Sequence, residues 1–230
     1  MGYRQEVIKS QENLKIISKN NKAIITKARF GPSKPTRIPF VFDEELSFFV
    51  AAIIGDGHLR KNKCQISIEL SDEKLLKYLQ KICNEKFDRI FNIHLIKKRK
   101  GRKQMFYLII DSKAIYEFLN KLFEIPFGSK SNIVCVPKII LNSTKSIKSA
   151  FLLGIMATEG GNRRRGVGLS TSSKRLWEDL ILLFEDVRIN VLKDRWVYQK
   201  YKKEYYGISF KREELSLLMR GCQSGQMDCV

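Results

Sequence analysis

Histidine is scarce in this chain: only His58 and His94 occur among 230 residues. A histidine-rich metal centre, or a hydrolytic triad built on Ser-His or Cys-His, has little to draw on. The five cysteines, Cys64, Cys83, Cys135, Cys222 and Cys229, are odd in number and contain no C-x-x-C pair. That argues against a disulfide framework and against a structural zinc site. No apolar run approaches the roughly 20 residues of a membrane-spanning helix. The opening MGYRQEVIKSQENLK lacks the apolar core of a signal peptide, so the expectation is an intracellular, cytoplasmic protein with no membrane partner.

Acidic residues are the other shortage. Asp and Glu number 24 against 43 Lys and Arg, a formal net charge of +19. The basic residues cluster, as in KKRKGRK (97–103) and NRRRG (162–166). A polyanion is the natural partner, and nucleic acid is the commonest one. Genome bias or heat adaptation is the duller source of a Lys-rich surface. A membrane surface fits less well, because the clusters fall between strand-like segments and not along an amphipathic helix. With 43% hydrophobic residues the chain can bury a substantial core.

What is present is a repeat. After GDG at 55–57 come a strand CQISIEL (64–70), a helix SDEKLLKYLQKICNEKF (71–87) capped by Ser71 or Asp72, strands within NIHLIKKRK and KQMFYLIID, and a helix SKAIYEFLNKLF (112–123). A partner strand for CQISIEL is expected from residues 58–62. After Glu159 the series returns: GVGLSTS (166–172), a helix SKRLWEDLILLFEDV (173–187), strands KDRWVYQKY and EYYGISFK, and a helix REELSLLMR (212–220). Pro126, Gly128 and Pro137 punctuate a linker between the halves. This divides the chain into an extension (1–42), a first half (43–124), a linker (125–149), a second half (150–220) and a tail (221–230). The extension should hold a short amphipathic helix near residues 3–19; whether it contacts DNA or only packs is open.

Each half begins with an apolar helix that ends on an acid: FFVAAIIGDGHL (48–59) and FLLGIMATEGG (151–161). Ala51 and Gly55 in the first, and Gly154 and Thr158 in the second, stand four residues apart and share a helix face. Small residues so placed let two buried helices approach closely. Pairing them about a pseudo-twofold axis brings Asp56 and Glu159 side by side. Two adjacent carboxylates repel unless a cation lies between them. A hard divalent ion suits oxygen ligands, Mg²⁺ first with Mn²⁺ as a substitute, and the backbone carbonyls of Gly55 and Thr158 can add donors.

These residues resemble the LAGLIDADG homing endonucleases in their single-chain, double-motif form, with VAAIIGDG and LLGIMATEG standing where that motif would stand. The resemblance spans roughly residues 38 to 220. It implies an α+β fold of two pseudo-symmetric αββαββα halves. Each half contributes a four-stranded antiparallel sheet to a saddle along the DNA major groove, and the molecule is a monomer. Alternate strand residues would face the DNA. On the first half these are Gln65, Ser67 and Glu69, with Cys64, Ile66, Ile68 and Leu70 turned to the helices; on the second they are Gly168, Ser170 and Ser172. Arg60, Lys61, Lys63, Lys97, Arg99, Arg102, Lys103, Arg163, Arg164, Arg165, Lys200 and Lys202 would position phosphates from turns and loops.

The implied chemistry is hydrolysis of one phosphodiester in each strand, with Asp56 and Glu159 catalytic and metal-binding. The resemblance also implies a basic residue beside each acid. The positions expected for it read Glu69-Leu70-Ser71 and Gly161-Asn162, leaving Lys63, Gln65, Arg163 or Lys174 as substitutes. The reading is a site-specific, metal-dependent, intron-encoded endonuclease with a double-stranded DNA target. The alternatives are an RNA-binding maturase with intron RNA as partner and a DNA-binding protein with a decayed nuclease site. The absence of a leading Cys or Ser and of a terminal His-Asn speaks against an intein origin.

Overall fold

The computed structural model describes residues 2–31, 33–97, 101, 103–164 and 166–221. The extension forms α1 (Tyr3–Ser10) and an antiparallel sheet of β1 (Lys15–Lys19), β2 (Ala23–Lys27) and β3 (Thr36–Pro39) in the order β1-β2-β3. The first half runs α2 (Glu44–Gly55), β4 (Gly57–Arg60), β5 (Gln65–Leu70), α3 (Glu73–Phe87), β6 (Ile93–Ile96), β7 (Met105–Asp111) and α4 (Lys113–Phe123). A single helical turn, α5 (Lys138–Leu141), interrupts the linker. The second half repeats the order with α6 (Lys145–Glu159), β8 (Gly160–Arg163), β9 (Gly166–Thr171), α7 (Lys174–Asp186), β10 (Leu192–Tyr198), β11 (Lys203–Phe210) and α8 (Arg212–Gly221).

The two halves share one topology. Their sheets are antiparallel, in the orders β4-β5-β7-β6 and β10-β11-β9-β8, so β4 and β8, which follow the two acidic helix ends, are both edge strands. Helix starts are set by side chains that satisfy the first free amides. Asp43 accepts from Leu46 N, Asp72 from Lys74 N and Leu75 N, Ser112 from Ile115 N, and Ser173 from Leu176 N.

Helices α2 and α6 pack against each other along the centre of the molecule. Every residue from Leu46 to Ile54 is buried, which a one-sided surface helix never shows. Ser47 is fully buried and its hydroxyl donates to Ile147 O at 2.9 Å, tying the two helices together away from the acidic end. On the first half, Phe49, Phe87, Phe118 and Phe123 form edge-on pairs that join α2, α3 and α4. Each fully buried phenylalanine of this kind contributes about 1.5–3 kcal/mol.

Three expectations need correction. The extension helix ends at Ser10, and residues 15–39 supply three strands. The side chain of Gln11 stops the helix by turning inward, where Thr26 Oγ1 donates to it at 2.9 Å and it donates to Ala114 O at 3.2 Å. Helix α6 begins at Lys145, so the linker ends earlier than position 149. Cys64 lies ahead of β5 in a left-handed turn at φ 46°, not on the strand itself.

Candidate active site

The acid-glycine ends of α2 and α6 follow from space. A Cβ on Gly57 would fall 2.6 Å from Ile53 Cα, and one on Gly160 would fall 2.1 Å from Met156 O. Both chains thus leave the helix and enter a strand within one residue, folding back over their own last turn. The same economy governs the helix contact. A Cβ on Gly154 would meet Phe48 O at 2.5 Å and Ala51 Cβ at 2.7 Å; one on Gly55 would meet Thr158 Oγ1 at 2.3 Å and Glu159 Cγ at 3.3 Å. The structure therefore brings Ala51 to Gly154 and Gly55 to Thr158. Asp56, the C-cap of α2, and Glu159, the last residue of α6, meet at the same end of the pair.

Two helix C-termini and two carboxylates converge there, four sources of negative potential. Both acidic residues reach the surface, yet their carboxyls sit above the ordinary range. For Asp56 the cause is burial of the carboxyl at the end of the helix pair, opposed by Lys130. For Glu159 it is burial and then the charge of Asp56, again opposed by Lys130. Lys130 comes from the linker, donates to Ile53 O in the last turn of α2, and is pushed down to about 8 by burial against the pull of Glu159 and Asp56.

Lys130 is the basic residue that the sequence did not locate. The substitutes considered there lie elsewhere: Lys63 is in the exposed β4–β5 turn, Gln65 bridges neighbours on the sheet, and Arg163 ends β8. Lys174 pairs with Glu178 at 3.6 Å on α7. The linker that delivers Lys130 is clasped by both halves. Gly128 N donates to Leu59 O at 2.9 Å, and Ser173 Oγ donates to Val134 O at 2.6 Å. Ser172 faces this linker, donating to Ser131 O at 2.8 Å and to Asn132 Oδ1 at 3.0 Å.

The sheet faces turned away from the helices carry the other expected residues. On the first, Arg60, Gln65 and Asp111 form a hydrogen-bonded row, with Arg60 Nη1 to Gln65 Oε1 at 3.2 Å and Gln65 Nε2 to Asp111 Oδ1 at 3.1 Å. The next rows are His58, Ser67 and Ile109, then Glu69, Tyr107 and His94, the last two rings stacked at 5.1 Å. Ser67 is only 3% exposed, set between His58 and Ile109 on the neighbouring strands. On the second face Gly161, Gly168 and Ser170 lead to Gly207 and to Trp196 stacked on Tyr205 at 6.0 Å. Lys61, Lys97, Lys103, Arg164, Lys200 and Lys202 are exposed on turns, and Arg163 is half-buried. Arg99, Arg102 and Arg165 lie outside the described residues.

Among the described residues no group of three or more His, Cys, Asp or Glu could hold a metal ion. The donor set at the helix ends is two carboxylates plus main-chain carbonyls, which are hard oxygen ligands. Burial raises their proton affinity first, and hard oxygen donors paired in this way fit a hydrated divalent ion. No helix among the described residues is long and apolar enough to cross a membrane.

Comparison with known proteins agrees with this geometry. Residues 43–122 match the family model of a LAGLIDADG-like domain. The chain is 30% identical over 167 residues to the replication factor C small subunit of Methanocaldococcus jannaschii, covering 73% of this chain and 9% of that protein. It is 25% identical over 187 residues to the glutamine–fructose-6-phosphate aminotransferase of the same organism, covering 80% of this chain and 16% of that one. It thus spans a small part of the curated relatives it matches. Among solved structures, I-DmoI in complex with DNA and Mn superposes with a TM-score of 0.56 at 15% identity, covering 80% of this chain and 98% of that one. At that identity the likeness is one of fold. Fold and site together define a two-motif α+β protein with one shared acidic centre. Residues 43–122 are a LAGLIDADG-like domain, and the second half repeats its topology and its acidic helix end.

Proposed function

We propose that this protein is a site-specific endonuclease that lies along the major groove of a long duplex target and breaks both strands by hydrolysis, with Mg²⁺ or Mn²⁺. The observation that carries the reading is the junction of α2 and α6, where Asp56 and Glu159 share one basic partner at the centre of two exposed sheet faces. The formal charge of +19 suits a phosphate-rich partner. The structural neighbour solved with DNA and Mn supports the same partner and the same class of ion.

A divalent ion bound there would be held by Asp56 and Glu159, with the Gly55 and Thr158 carbonyls adding oxygen donors, and would activate water and offset charge on the leaving oxygen. Lys130 stands beside both acids with its proton affinity lowered to about 8 by burial, so its proton is labile near neutral pH. It can neutralise a non-bridging phosphate oxygen or protonate a departing one. No nucleophilic side chain is required, consistent with water as the attacking group.

The relatives carry the matching stretch inside much longer polypeptides of unrelated name. That supports a mobile module, and it favours carriage in frame inside a host protein over the intron-encoded home expected from sequence. The test is a plasmid bearing the uninterrupted host gene, with the interrupted gene as control. A single break in the first plasmid, dependent on Mg²⁺ or Mn²⁺, is expected. Binding without a break would move the reading to a decayed nuclease, and preference for intron RNA would move it to a maturase.

A further inference from the structure

The extension docks on the first half, chiefly on α3 and α4. Beyond the Gln11 contacts, Thr36 Oγ1 lies 3.0 Å from Ser112 Oγ, and Arg37 Nη1 donates to Lys86 O at 3.0 Å. Where the segment after β2 approaches the start of α4 and the β4–β5 turn, the docking leaves a cleft of about 370 Å³. Lys27, Lys34, Lys63, Arg89 and Lys113 line it, and its single carboxylate is Asp111.

Arg89 is held in place, donating to Thr36 Oγ1 at 3.3 Å and to Asp111 O at 3.0 Å with its guanidinium 4.9 Å over the Phe91 ring. Among the described residues, Lys27, Lys34, Lys63 and Lys113 have no ion-pair partner. Five cations around one acid repel one another, and an anion entering the cleft relieves that repulsion. Asp111 is spoken for, since it accepts from Gln65 at the end of the row Arg60, Gln65, Asp111 on the exposed sheet face. The cleft therefore begins where the first DNA-reading row ends.

We infer that this cleft is a phosphate grip for duplex DNA. It extends the contact beyond the saddle on the first-half side only and gives the extension its role. The inference rests on the duplex-binding reading above. It has no counterpart on the second half, because the extension packs against α3 and α4.

The test compares the wild-type protein with a Lys27→Gln, Lys34→Gln, Lys113→Gln triple variant and with a Lys9→Gln, Lys138→Gln, Lys145→Gln triple of equal charge change. The control lysines are exposed and none of them lines this cleft. Affinity for a random-sequence 40-bp duplex is read as a function of salt, after thermal melting has established that all three proteins fold. The expected result for the cleft variant is a salt slope shallower by about 2 to 3 and binding at least about tenfold weaker at 0.1 M salt, since each lost phosphate contact removes close to one unit of slope. The control should stay within about twofold of wild type. Equal slopes in cleft variant and wild type, or equal weakening in the control, would overturn the cleft while leaving duplex binding intact. A wild-type protein with no steep salt dependence would instead overturn the duplex reading itself. If the triple variant fails to fold, Lys34→Gln alone is measured, with a slope change near one expected and no change overturning the proposal.

Discussion

The two halves have one topology and unlike exposed faces. The first presents a polar, hydrogen-bonded face of Arg60, Gln65, Asp111, Glu69, His58 and His94, while the second presents glycines, Ser170 and the stacked Trp196 and Tyr205. The first face offers donors and acceptors suited to base edges, and the second offers flat apolar surface and close backbone approach. Under the proposed function, two different faces free the chain from the palindromic target that an identical pair would impose. The centre is asymmetric too, since one Lys130 serves both carboxylates and a cavity of about 250 Å³ opens beside Glu159, lined in part by Lys130, Ser170, Lys203 and Tyr205.

The sharpest way to break the comparison is at the acids. Asp56→Asn and Glu159→Gln should each lower cleavage by about a thousandfold or more while duplex affinity stays within about threefold. Gel-shift and nicking assays on the same DNA check both, and equal loss of binding would reduce the pair to fold support. Next comes Lys130→Met. If one lysine serves both acids, rates for both strands should fall together, by about 10- to 100-fold, whereas loss on a single strand would assign Lys130 to one half.

Stability effects are smaller. Gly154→Ala places a methyl 2.5 Å from Phe48 O and should cost about 1–3 kcal/mol, lowering Tm by several degrees. Gly161→Ala, with nothing within 4 Å of the added carbon, should move Tm by no more than about 1 °C. The smallest effect is in pH. Folding raises the affinity of the Asp56 and Glu159 carboxyls for protons. The stability they give is complete below the ordinary carboxylate range and is lost as pH rises through their folded values. Glu159→Gln should therefore melt slightly above wild type at pH 7, and the gain should vanish by about pH 4 in thermal scans.

Much of this was legible in the chain. The doubled apolar helix ending in acid-glycine announced the centre because the physical demand is local: Gly57 and Gly160 must be small to pass Ile53 and Met156. Asp72, one of two caps expected for its helix, and the helix starts at Ser112 and Ser173 followed from period and composition, whereas Ser67, expected on the outward set of β5, is buried. Lys130 was not legible, since nothing in FGSKSN marks a lysine that must travel to Ile53, 77 residues away in the chain. Nor were the strands of the extension, whose helix stops because Gln11 finds partners on β2 and α4. Both failures are long-range contacts overruling local pattern.

The most direct test of the central claim is to offer the wild-type protein, with Mg²⁺, a plasmid library carrying random inserts of about 24 bp and to sequence the broken ends. The account predicts one related set of asymmetric targets cut in both strands. Cutting should be abolished by chelation and in Asp56→Asn and Glu159→Gln alike. Breaks that persist in either variant or without metal would contradict a catalytic centre at the meeting of α2 and α6.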